Sequence, residues 1–266
     1  MQIPEEVQFI IGKLRENGFE AYIVGGCVRD ILRGVEPQDW DIATNAKPKE
    51  IGKIFLKSFA AEKFGTVTVL TDSQDPRLKE IEITPYRIDE KYTDKRHPDK
   101  VRWAKTIEED LARRDFTVNA MALEISNLKS QISNLIDPFN GQKDLKNKII
   151  RAVRDPEERF GEDALRMMRA VRFAVTLESF QIWQIEEKTE RAIKKNAHLL
   201  EFISKERIRD ELMKMIMSPN GARGIEILRR LGLLKYIIPE LEEGFGVWQN
   251  KHHIYQIYQH LLLSLN

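Results

Sequence analysis

The chain has 266 residues, which is enough for one large domain or two modest ones. Hydrophobic residues make up 42% and charged residues 32%, which predicts a soluble, mostly helical protein, and no apolar run approaches the roughly 20 residues that a membrane span needs. The formal net charge of +1 neither indicates nor excludes a nucleic-acid partner, because the 43 Lys and Arg residues can still cluster on one face.

Neither export nor disulfide formation is indicated by the sequence. The N-terminus, MQIPEEVQFI, has no basic segment followed by an apolar stretch, so we predict no signal peptide. The single cysteine, Cys27, excludes an internal disulfide, and we expect it to be a small buried residue because no histidine is near it. These features predict a cytoplasmic protein.

The first part of the chain alternates helical and extended patterns. Helices are predicted over 4–17, 27–33, 49–56 and 107–114, and strands over 21–24, 40–43, 66–70, 80–86 and 118–125. The polar stretch 89–100 is predicted to be a loop. The letters ISNL occur at 125–128 and again at 132–135, which indicates a hairpin or a local duplication.

From about residue 144 onward the patterns are helical, with no clear strand. We therefore predict an α/β domain over 1–145, with a mixed sheet and helices, followed by an all-α region over 146–266. The chain stops at HLLLSLN, inside an apolar helical pattern that lacks a cap, and from this we expect the natural protein to continue.

Two motifs near the N-terminus have the features of a phosphate site and a metal site. Gly25 and Gly26 lie between a predicted strand and a predicted helix, where backbone N–H groups can approach a phosphate closely. Asp39 and Asp41 are two apart, so on a strand both carboxylates face one side and favour a hard cation such as Mg²⁺. Either motif alone is more often a turn or surface charge, but their order along the chain favours nucleotidyl transfer.

Four ordered motifs resemble those of the bacterial-type (class II) CCA-adding enzymes and their poly(A) polymerase relatives. They are GGCVRD at 25–30 with DWD at 39–41, RRDFTVNA at 113–120, DPF at 137–139 with Gly141, and EDALRMMRAVRF at 162–173. The resemblance runs from about residue 20 to 175 and continues more weakly to 240. It implies a polymerase-β-like nucleotidyltransferase head followed by a helical neck and body.

The resemblance also implies roles for individual residues. Asp39 and Asp41 would be the catalytic, metal-holding pair, with Glu82 as a further metal ligand. The implied nucleotide-binding residues are Gly26, Arg29 and Arg114 at the phosphates, Asp115 and Asn119 near the ribose, Asp163 and Arg166 at the base edge, and Arg169 and Arg172 elsewhere in the site. Glu82 shares one face of strand 80–86 with Glu80, so a solvated strand face explains its position equally well.

The base-reading role also has a physical rationale. Asp163 and Arg166 are three apart, so on one helix they place an acceptor beside a donor fork that can match cytosine or adenine. Each three-residue step rotates the side chain by about 60° around the axis. Arg172 would then point roughly opposite to Asp163, and it either reaches the site by its length or pairs with acids or RNA. A salt-bridged helix face is the alternative for these arginines.

The implied reaction is attack of the tRNA 3′-hydroxyl on the α-phosphate of CTP or ATP, with two Mg²⁺ ions and release of pyrophosphate. The close alternatives are CC-only, A-only or poly(A) addition, and the loop 89–100 favours CCA or A addition because CC-only relatives tend to lack its equivalent. A small-molecule nucleotidyltransferase is disfavoured by the helix 162–172. A catalytically inactive RNA-binding module is disfavoured by the intact Asp39, Asp41 and Arg114.

The sequence makes weaker statements about the remaining features. His252, His253 and His260 form a cluster, but no His-Asp doublet follows them, so we predict no metal site there. Trp40, between the two aspartates, is predicted to point into the core of the first domain. The oligomeric state is not indicated by any pattern.

Overall fold

The computed structural model describes residues 2–60, 65–90, 100–125, 132–250 and 254–265. The described residues fall into two compact units, of which the first ends at Asn147 and the second begins at Lys148. Within the described ranges, no helix combines the length and the apolar character needed to cross a membrane.

A seven-stranded sheet organises the described part of the first unit. The strands of the first unit are β1 (Ala21–Val24), β2 (Asp41–Thr44), β3 (Ser58–Ala60), β4 (Val67–Leu70), β5 (Glu80–Pro85), β6 (Arg87–Glu90), β7 (Lys100–Trp103), β8 (Ala122–Ile125) and β9 (Ile132–Ile136). Its helices are α1 (Glu5–Glu16), α2 (Gly26–Leu32), α3 (Pro48–Ile54), α4 (Ile107–Leu111) and α5 (Gly141–Asn147), with a 3-10 turn at Thr117–Asn119.

The order of strands in this sheet is β3-β4-β5-β2-β1-β8-β9. Strand β2 pairs antiparallel with β1 but parallel with β5, so the predicted mixed sheet is confirmed. Strands β8 and β9 pair antiparallel, in agreement with a hairpin, while residues 126–131, with most of the first ISNL copy, lie outside the described residues. A separate pair, β6 and β7, is antiparallel, with Arg87 opposite Trp103 and Glu90 opposite Lys100.

One apolar core fixes the sheet and the helices of the first unit. The predicted apolar stripe of α1 is buried there, as is Trp40, whose inward orientation is confirmed. Cys27 is also buried in this core, and burial raises the pKa of its thiol to about 12, so it is a packing residue and not a thiolate nucleophile at neutral pH.

Three strands of the first unit, β3, β6 and β7, were not predicted. Strand β3 is a three-residue edge strand in which the apolar Phe59 is exposed. Its burial therefore does not follow the alternation of polar and apolar residues from which strands are predicted. The predicted loop 89–100 is too long, because β6 extends to Glu90 and β7 begins at Lys100; residues 91–99 lie outside the described residues. The predicted strand 118–125 is half wrong, since Thr117–Asn119 forms the 3-10 turn and the strand begins at Ala122.

The described part of the second unit is almost entirely helical. Its helices are α6 (Pro156–Glu162), α7 (Leu165–Thr176), α8 (Glu187–Asn196), α9 (Lys205–Ile216), α10 (Gly221–Arg230), α11 (Leu234–Ile237), α12 (Pro239–Glu243) and α13 (Ile257–Leu263), with a 3-10 segment at Ala197–Phe202. Helix α7 is buried along most of its length and packs against α9 and α10. The prediction of no strand is wrong in detail, because Ile149–Ile150 (β10) pairs in parallel with Gln184–Ile185 (β11).

Candidate active site

Gly25 sits where β1 ends and α2 begins, and its backbone has a φ of +82°, in the region that favours glycine. A Cβ atom at this position would lie 2.6 Å from Nη1 of Arg114 and 3.2 Å from Oδ2 of Asp41. The missing side chain therefore leaves the space in which an arginine and a carboxylate approach the same stretch of backbone. Sequence reasoning singled out the glycine pair, but it did not predict which side chains use this space.

The two predicted metal ligands lie close together, although not as predicted. Strand β2 begins at Asp41, so the prediction that Asp39 shares the strand with Asp41 is wrong. Its antiparallel partner β1 ends at Val24, where the chain turns into α2, so residues before Asp41 find no continuing strand to pair with on that side. Asp41 lies directly opposite Glu82 of the parallel neighbour β5.

The surroundings of the Asp41 carboxyl group disfavour its negative charge. Burial raises its pKa to about 6; the positive charge of Arg114 opposes this rise, and the charges of Asp39 and Glu82 add to it. A group that resists ionisation between two other acids is one that a cation would stabilise. Glu82 itself is exposed, on the solvent face of β5 opposite the buried Ile81 and Ile83, so its charge reaches Asp41 from the edge of the cluster.

The carboxylates around Asp41 fit a cation that takes some of its ligands from the protein and the rest from a substrate. In the parts of the chain that the structure describes, no three acidic, histidine or cysteine side chains form a closed metal cage. Mg²⁺ in proteins is commonly held by one or two carboxylates and completes its octahedron with substrate phosphates and water. Asp39 and Asp41 provide that kind of partial donor set.

Arg114 is a partly exposed arginine whose guanidinium group is incompletely paired among the described residues. Its nearest acidic contact is a long one of 3.6 Å from Nη2 to Oδ2 of Asp110, and its buried Nε has no hydrogen-bond partner among the described residues. An unsatisfied donor of this kind is costly unless a ligand completes it. Beside Asp41 and the open backbone of Gly25, Arg114 therefore has donors available for an anion.

Asp110, on α4, is a residue of this site that sequence reasoning missed. It is completely buried, accepts a 2.9 Å hydrogen bond from Nε of Arg113, and accepts the backbone N–H of Arg87 at the start of β6. Burial alone would raise the pKa of Asp110, but Arg113 and Arg114 outweigh it and hold the pKa below its ordinary value. Its spacing of three and four residues from the two arginines was the available signal.

Arg29, Asn119 and Asp115 form a connected polar group. Nη1 of Arg29 donates to Oδ1 of Asn119 at 2.8 Å, and Nδ2 of Asn119 donates to Oδ1 of Asp115 at 3.2 Å. Asp30 holds the other edge of the Arg29 guanidinium at 2.7 and 2.9 Å. A Cβ atom at Gly26, on the same helix, would lie 3.6 Å from Nη2 of Arg29, which is an ordinary van der Waals contact. The structure therefore joins Arg29, which was predicted at the phosphates, to Asp115 and Asn119, which were predicted near the ribose.

The third motif has a structural task in the first unit. Both carboxylate oxygens of Asp137 accept backbone N–H groups, at 2.6 Å from Gly141 and 2.9 Å from Gln142, so Asp137 caps α5. A Cβ at Gly141 would collide with the carbonyl oxygen of Thr117. The glycine therefore lets α5 pack tightly on the 3-10 turn that carries Asn119.

Asp163 in the second unit does not lie on the helix that carries Arg166. Helix α6 ends at Glu162, α7 begins at Leu165, and Asp163 has extended backbone angles between them. The prediction that both residues share one helix is wrong, because the Asp163 side chain accepts the N–H of Leu165 and starts α7 in the manner of a cap. Its carboxylate is held by both terminal nitrogens of Arg207, at 3.2 and 2.8 Å.

The arginines of the fourth motif are paired with acids. Nη1 of Arg166 donates to Oε2 of Glu162 at 2.6 Å, and Glu162 also binds Arg159. Nε of Arg172 donates to Oε2 of the buried Glu211 at 2.6 Å, and Arg169 lies 3.9 Å from the same carboxylate. Of the two expectations for Arg172, pairing with an acid is the one that the structure contains.

The histidine cluster is only partly described. His252 and His253 lie outside the described residues, and His260 is exposed on α13.

Two family models match the chain. The first, described as the poly A polymerase head domain, matches residues 21–151. The second, described as a probable RNA and SrmB-binding site of polymerase A, matches residues 183–245.

Curated relatives cover nearly the whole chain. The CCA-adding enzyme of Lactobacillus helveticus (strain DPC 4571) is 43% identical over 256 residues, which are 96% of this chain and 58% of the relative. The CCA-adding enzyme of Ligilactobacillus salivarius (strain UCC118) is 47% identical over 238 residues, which are 88% of this chain and 55% of the relative. The chain thus spans a little over half the length of these relatives.

Solved structures give the same result. The Bacillus stearothermophilus CCA-adding enzyme in complex with CTP superposes with a TM-score of 0.77 at 38% identity, covering 91% of this chain and 56% of that one. A tRNA nucleotidyltransferase complexed with a primer tRNA and an incoming ATP analog gives a TM-score of 0.68 at 30% identity, covering 91% of this chain and 64% of that one. Together with the four ordered motifs, these matches show that the chain belongs to the family of CCA-adding enzymes and poly(A) polymerases.

Proposed function

We propose that the protein adds C and A to the 3′ end of tRNA without a nucleic-acid template, using CTP and ATP and releasing pyrophosphate. The observation that carries the proposal is the meeting of Asp41 and Arg114 over the bare backbone of Gly25. This arrangement places an acid in need of a cation beside an arginine in need of an anion. A nucleoside triphosphate with its metal supplies both. The catalytic head would span 1–145, the helical neck and body 146–266, and the protein would act in the cytoplasm.

The triphosphate would be bound mainly by arginine. Among the described residues, the buried Nε of Arg114 has no hydrogen-bond partner and its contact to Asp110 is long, so phosphate oxygens can complete its hydrogen bonds. Arg29 and the backbone at Gly26 would bind further phosphate oxygens. Asp110 would keep Arg114 in place, since its buried charge holds the arginine on one side while the other side stays open.

Asp39 and Asp41 would hold Mg²⁺, with Glu82 contributing charge from β5. When bound, the metal ions lower the pKa of the attacking tRNA hydroxyl and stabilise the negative charge of the leaving pyrophosphate. The protein's own part is to hold both carboxylates toward the α-phosphate and to keep Asp41 ionised. The positive charge of Arg114 supports this, because it lowers the pKa of Asp41 against the effect of burial.

The sugar and the base would be read by different residues. Asn119 and Asp115 are buried and joined by a hydrogen bond, which gives a rigid polar surface suited to a ribose. Asp163 would accept the exocyclic amine of cytosine or adenine, and Arg166 would donate to the ring-nitrogen and carbonyl acceptors. Uracil is rejected because it presents a carbonyl oxygen where cytosine has its amine. Arg169 and Arg172 would stabilise helix α7, which carries Arg166, through their ion pairs with Glu211.

A-only, CC-only and poly(A) addition remain the alternatives within the family. The direct test is to incubate the protein and Mg²⁺ with tRNA lacking CCA, with CTP, with ATP and with both, and to size the products. Two added residues with CTP and three with both nucleotides are expected. Addition of A alone, of C alone with both nucleotides present, or of a long A tail identifies the corresponding alternative, and no addition to any RNA contradicts the proposal.

A further inference from the structure

Asp163 has a nearly complete set of hydrogen bonds before any nucleotide is bound. Its Oδ1 accepts the backbone N–H of Leu165 at 3.1 Å and Nη1 of Arg207 at 3.2 Å, and its Oδ2 accepts Nη2 of Arg207 at 2.8 Å. An ionised carboxylate offers about four acceptor positions. Within the described residues three are filled, so one remains, and it is on Oδ2.

Arg207 reaches Asp163 from a different helix. It lies near the start of α9, and the two residues are 44 positions apart in the sequence. Both side chains are largely buried, with 22% of Arg207 and 14% of Asp163 exposed. A fork of two parallel N–H donors fixes the plane of the carboxylate as well as its position, which a lysine ammonium cannot do.

A carboxylate held in this way is more selective than a free one. Side-chain rotation would let an unsupported aspartate turn its oxygens away from a wrong base, or accept water in place of the amine. With Oδ1 occupied and the plane fixed, Asp163 presents a single acceptor in one direction. A base with an amine satisfies that acceptor, whereas a base with a carbonyl leaves it unpaired and repelled.

We propose that Arg207 is a specificity-determining positioning residue, which fixes Asp163 so that its one open acceptor distinguishes cytosine and adenine from uracil. The inference rests on the proposed function, since it assigns a task to the base-reading residue of that reaction. Arg207 does not contact the nucleotide in this account and acts only through Asp163. It therefore governs which nucleotide is used more than how fast the bond is formed.

The test replaces Arg207 with Gln, a shorter polar side chain without the charge or the guanidinium fork, and with Lys, which keeps the charge. For each folded variant, kcat and KM are measured with CTP and UTP on tRNA lacking CCA. We expect Arg207→Gln to lower the preference for CTP over UTP by about tenfold, mainly through a higher KM for CTP, as the loss of one oriented hydrogen-bonding group predicts. Arg207→Lys should recover part of the preference.

Two further variants separate positioning from a general structural role. Arg209→Gln is the matched control on the same helix, because Arg209 is exposed and pairs only with its neighbour Asp210 in the described structure; its preference should equal that of the wild type. In an Asp163→Ala background, Arg207→Gln should change the preference no further, because Arg207 acts through Asp163. A further drop in the double variant contradicts the inference.

Equilibrium binding of CTP and UTP, measured by calorimetry on the same proteins, tests the role of Arg207 separately from the proposed function. If the wild-type protein binds CTP in preference to UTP but adds no nucleotide, the proposed function is contradicted. The role of Arg207 is then decided by the ratio of the affinities for CTP and UTP. An unchanged ratio in folded Arg207→Gln shows that the pair only ties α9 to the start of α7. Tighter CTP binding in that variant shows that Arg207 competes with the base, and this also overturns the inference.

Discussion

Two regions balance their charges in opposite ways: the acidic cluster of the first unit, formed by Asp39, Asp41 and Glu82, and the pair of Asp163 and Arg207 in the second unit. Around Asp41, burial and neighbouring acids raise the carboxyl pKa to about 6, and Arg114 keeps a buried donor without a partner among the described residues. Around Asp163 the charges are matched in advance, by the two-pronged contact with Arg207 at 3.2 and 2.8 Å.

The difference indicates what each region is built to do. An unbalanced site is costly in the free protein and gains most when a strongly charged ligand arrives, which suits a triphosphate and its metal ions. A balanced site is rigid, and it discriminates by leaving few hydrogen-bonding positions open. We therefore expect substitutions in the first region to remove activity and substitutions in the second to change nucleotide preference.

The largest effect is expected for Asp39→Ala and Asp41→Ala. Each removes a ligand of the proposed metal site, and the lost transition-state stabilisation of several kcal/mol corresponds to about a thousandfold fall in kcat. The measurement is nucleotide incorporation into tRNA lacking CCA at saturating Mg²⁺. Asp72→Ala is a matched control, because Asp72 is an exposed acid of the same unit that pairs with Lys57. Near-normal turnover by a folded Asp41→Ala protein would contradict the metal assignment.

A second large effect is expected from deletion of residues 91–98. This segment falls within the predicted loop 89–100, lies outside the described residues and connects the paired strands β6 and β7. The prediction rests on its polar sequence, which lacks an apolar anchor and suits a lever that moves between C and A addition. The deletion should leave CC addition intact and stop terminal A addition, as sized on a gel. If the deletion protein still adds the terminal A, the loop is not needed for the change from C to A addition.

Arg114→Lys should have an intermediate effect. Lysine keeps the charge but loses the planar fork, so the KM for CTP and ATP should rise by about tenfold or more while the fold is kept. Steady-state kinetics with varied nucleotide measures this. Arg77→Lys serves as control, since Arg77 pairs with Glu36 and Asp75. Equal KM values for wild type and Arg114→Lys would show that Arg114 does not bind the triphosphate.

The preference for C and A should change in Asp163→Ala, by about tenfold in kcat/KM ratios. Loss of the acceptor lowers the use of CTP and ATP and reduces discrimination against UTP. The reversed pair, Asp163→Arg with Arg166→Asp, should raise the relative use of UTP or GTP. Measurement of kcat/KM for all four nucleotides decides this. If neither protein changes the four-way preference, these residues form only a salt-bridged surface and the base-reading role has to be abandoned.

The contrast between the regions also explains what the sequence could predict. Local patterns were sufficient where one element carries the information: Glu80 to Ile83 alternates between solvent and core and predicted β5, and the spacing of apolar residues predicted α1. The ordered motifs singled out Asp39 and Asp41 as candidate metal ligands, and the family resemblance added Glu82. They did not predict that Asp41 lies opposite Glu82, because strand pairing joins residues about 40 positions apart and is set by the whole sheet.

The misplacement of Asp163 has a more specific cause. Helical periodicity continues across Glu162 to Phe173, so sequence reasoning joined two helices into one. The aspartate followed by apolar residues was a helix-start signal that periodicity outweighed. Arg207 could not be found in this way, because its partner is 44 positions away and only the packing of α9 against α7 brings them together.

The claim that the acidic cluster is maintained for chemistry at the expense of stability is tested by Asp41→Asn. This substitution keeps the shape of the side chain and removes its charge. Because folding raises the pKa of Asp41 from its ordinary 3.8 to about 6, the ionised carboxylate destabilises the folded protein above that pH. As the pH falls from about 6 toward 3.8, the wild type becomes protonated in the folded state and regains this stability.

Thermal unfolding and nucleotide addition are therefore measured together on wild type and Asp41→Asn, without nucleotide or metal in the unfolding experiment. Above pH 6 the variant should unfold about 2–4 °C higher than the wild type and add no nucleotide, and the gap should close on acidification. A variant that loses activity but is also less stable at neutral pH would show that Asp41 supports the fold. That result would contradict the account of the first unit as a site whose charges await a ligand.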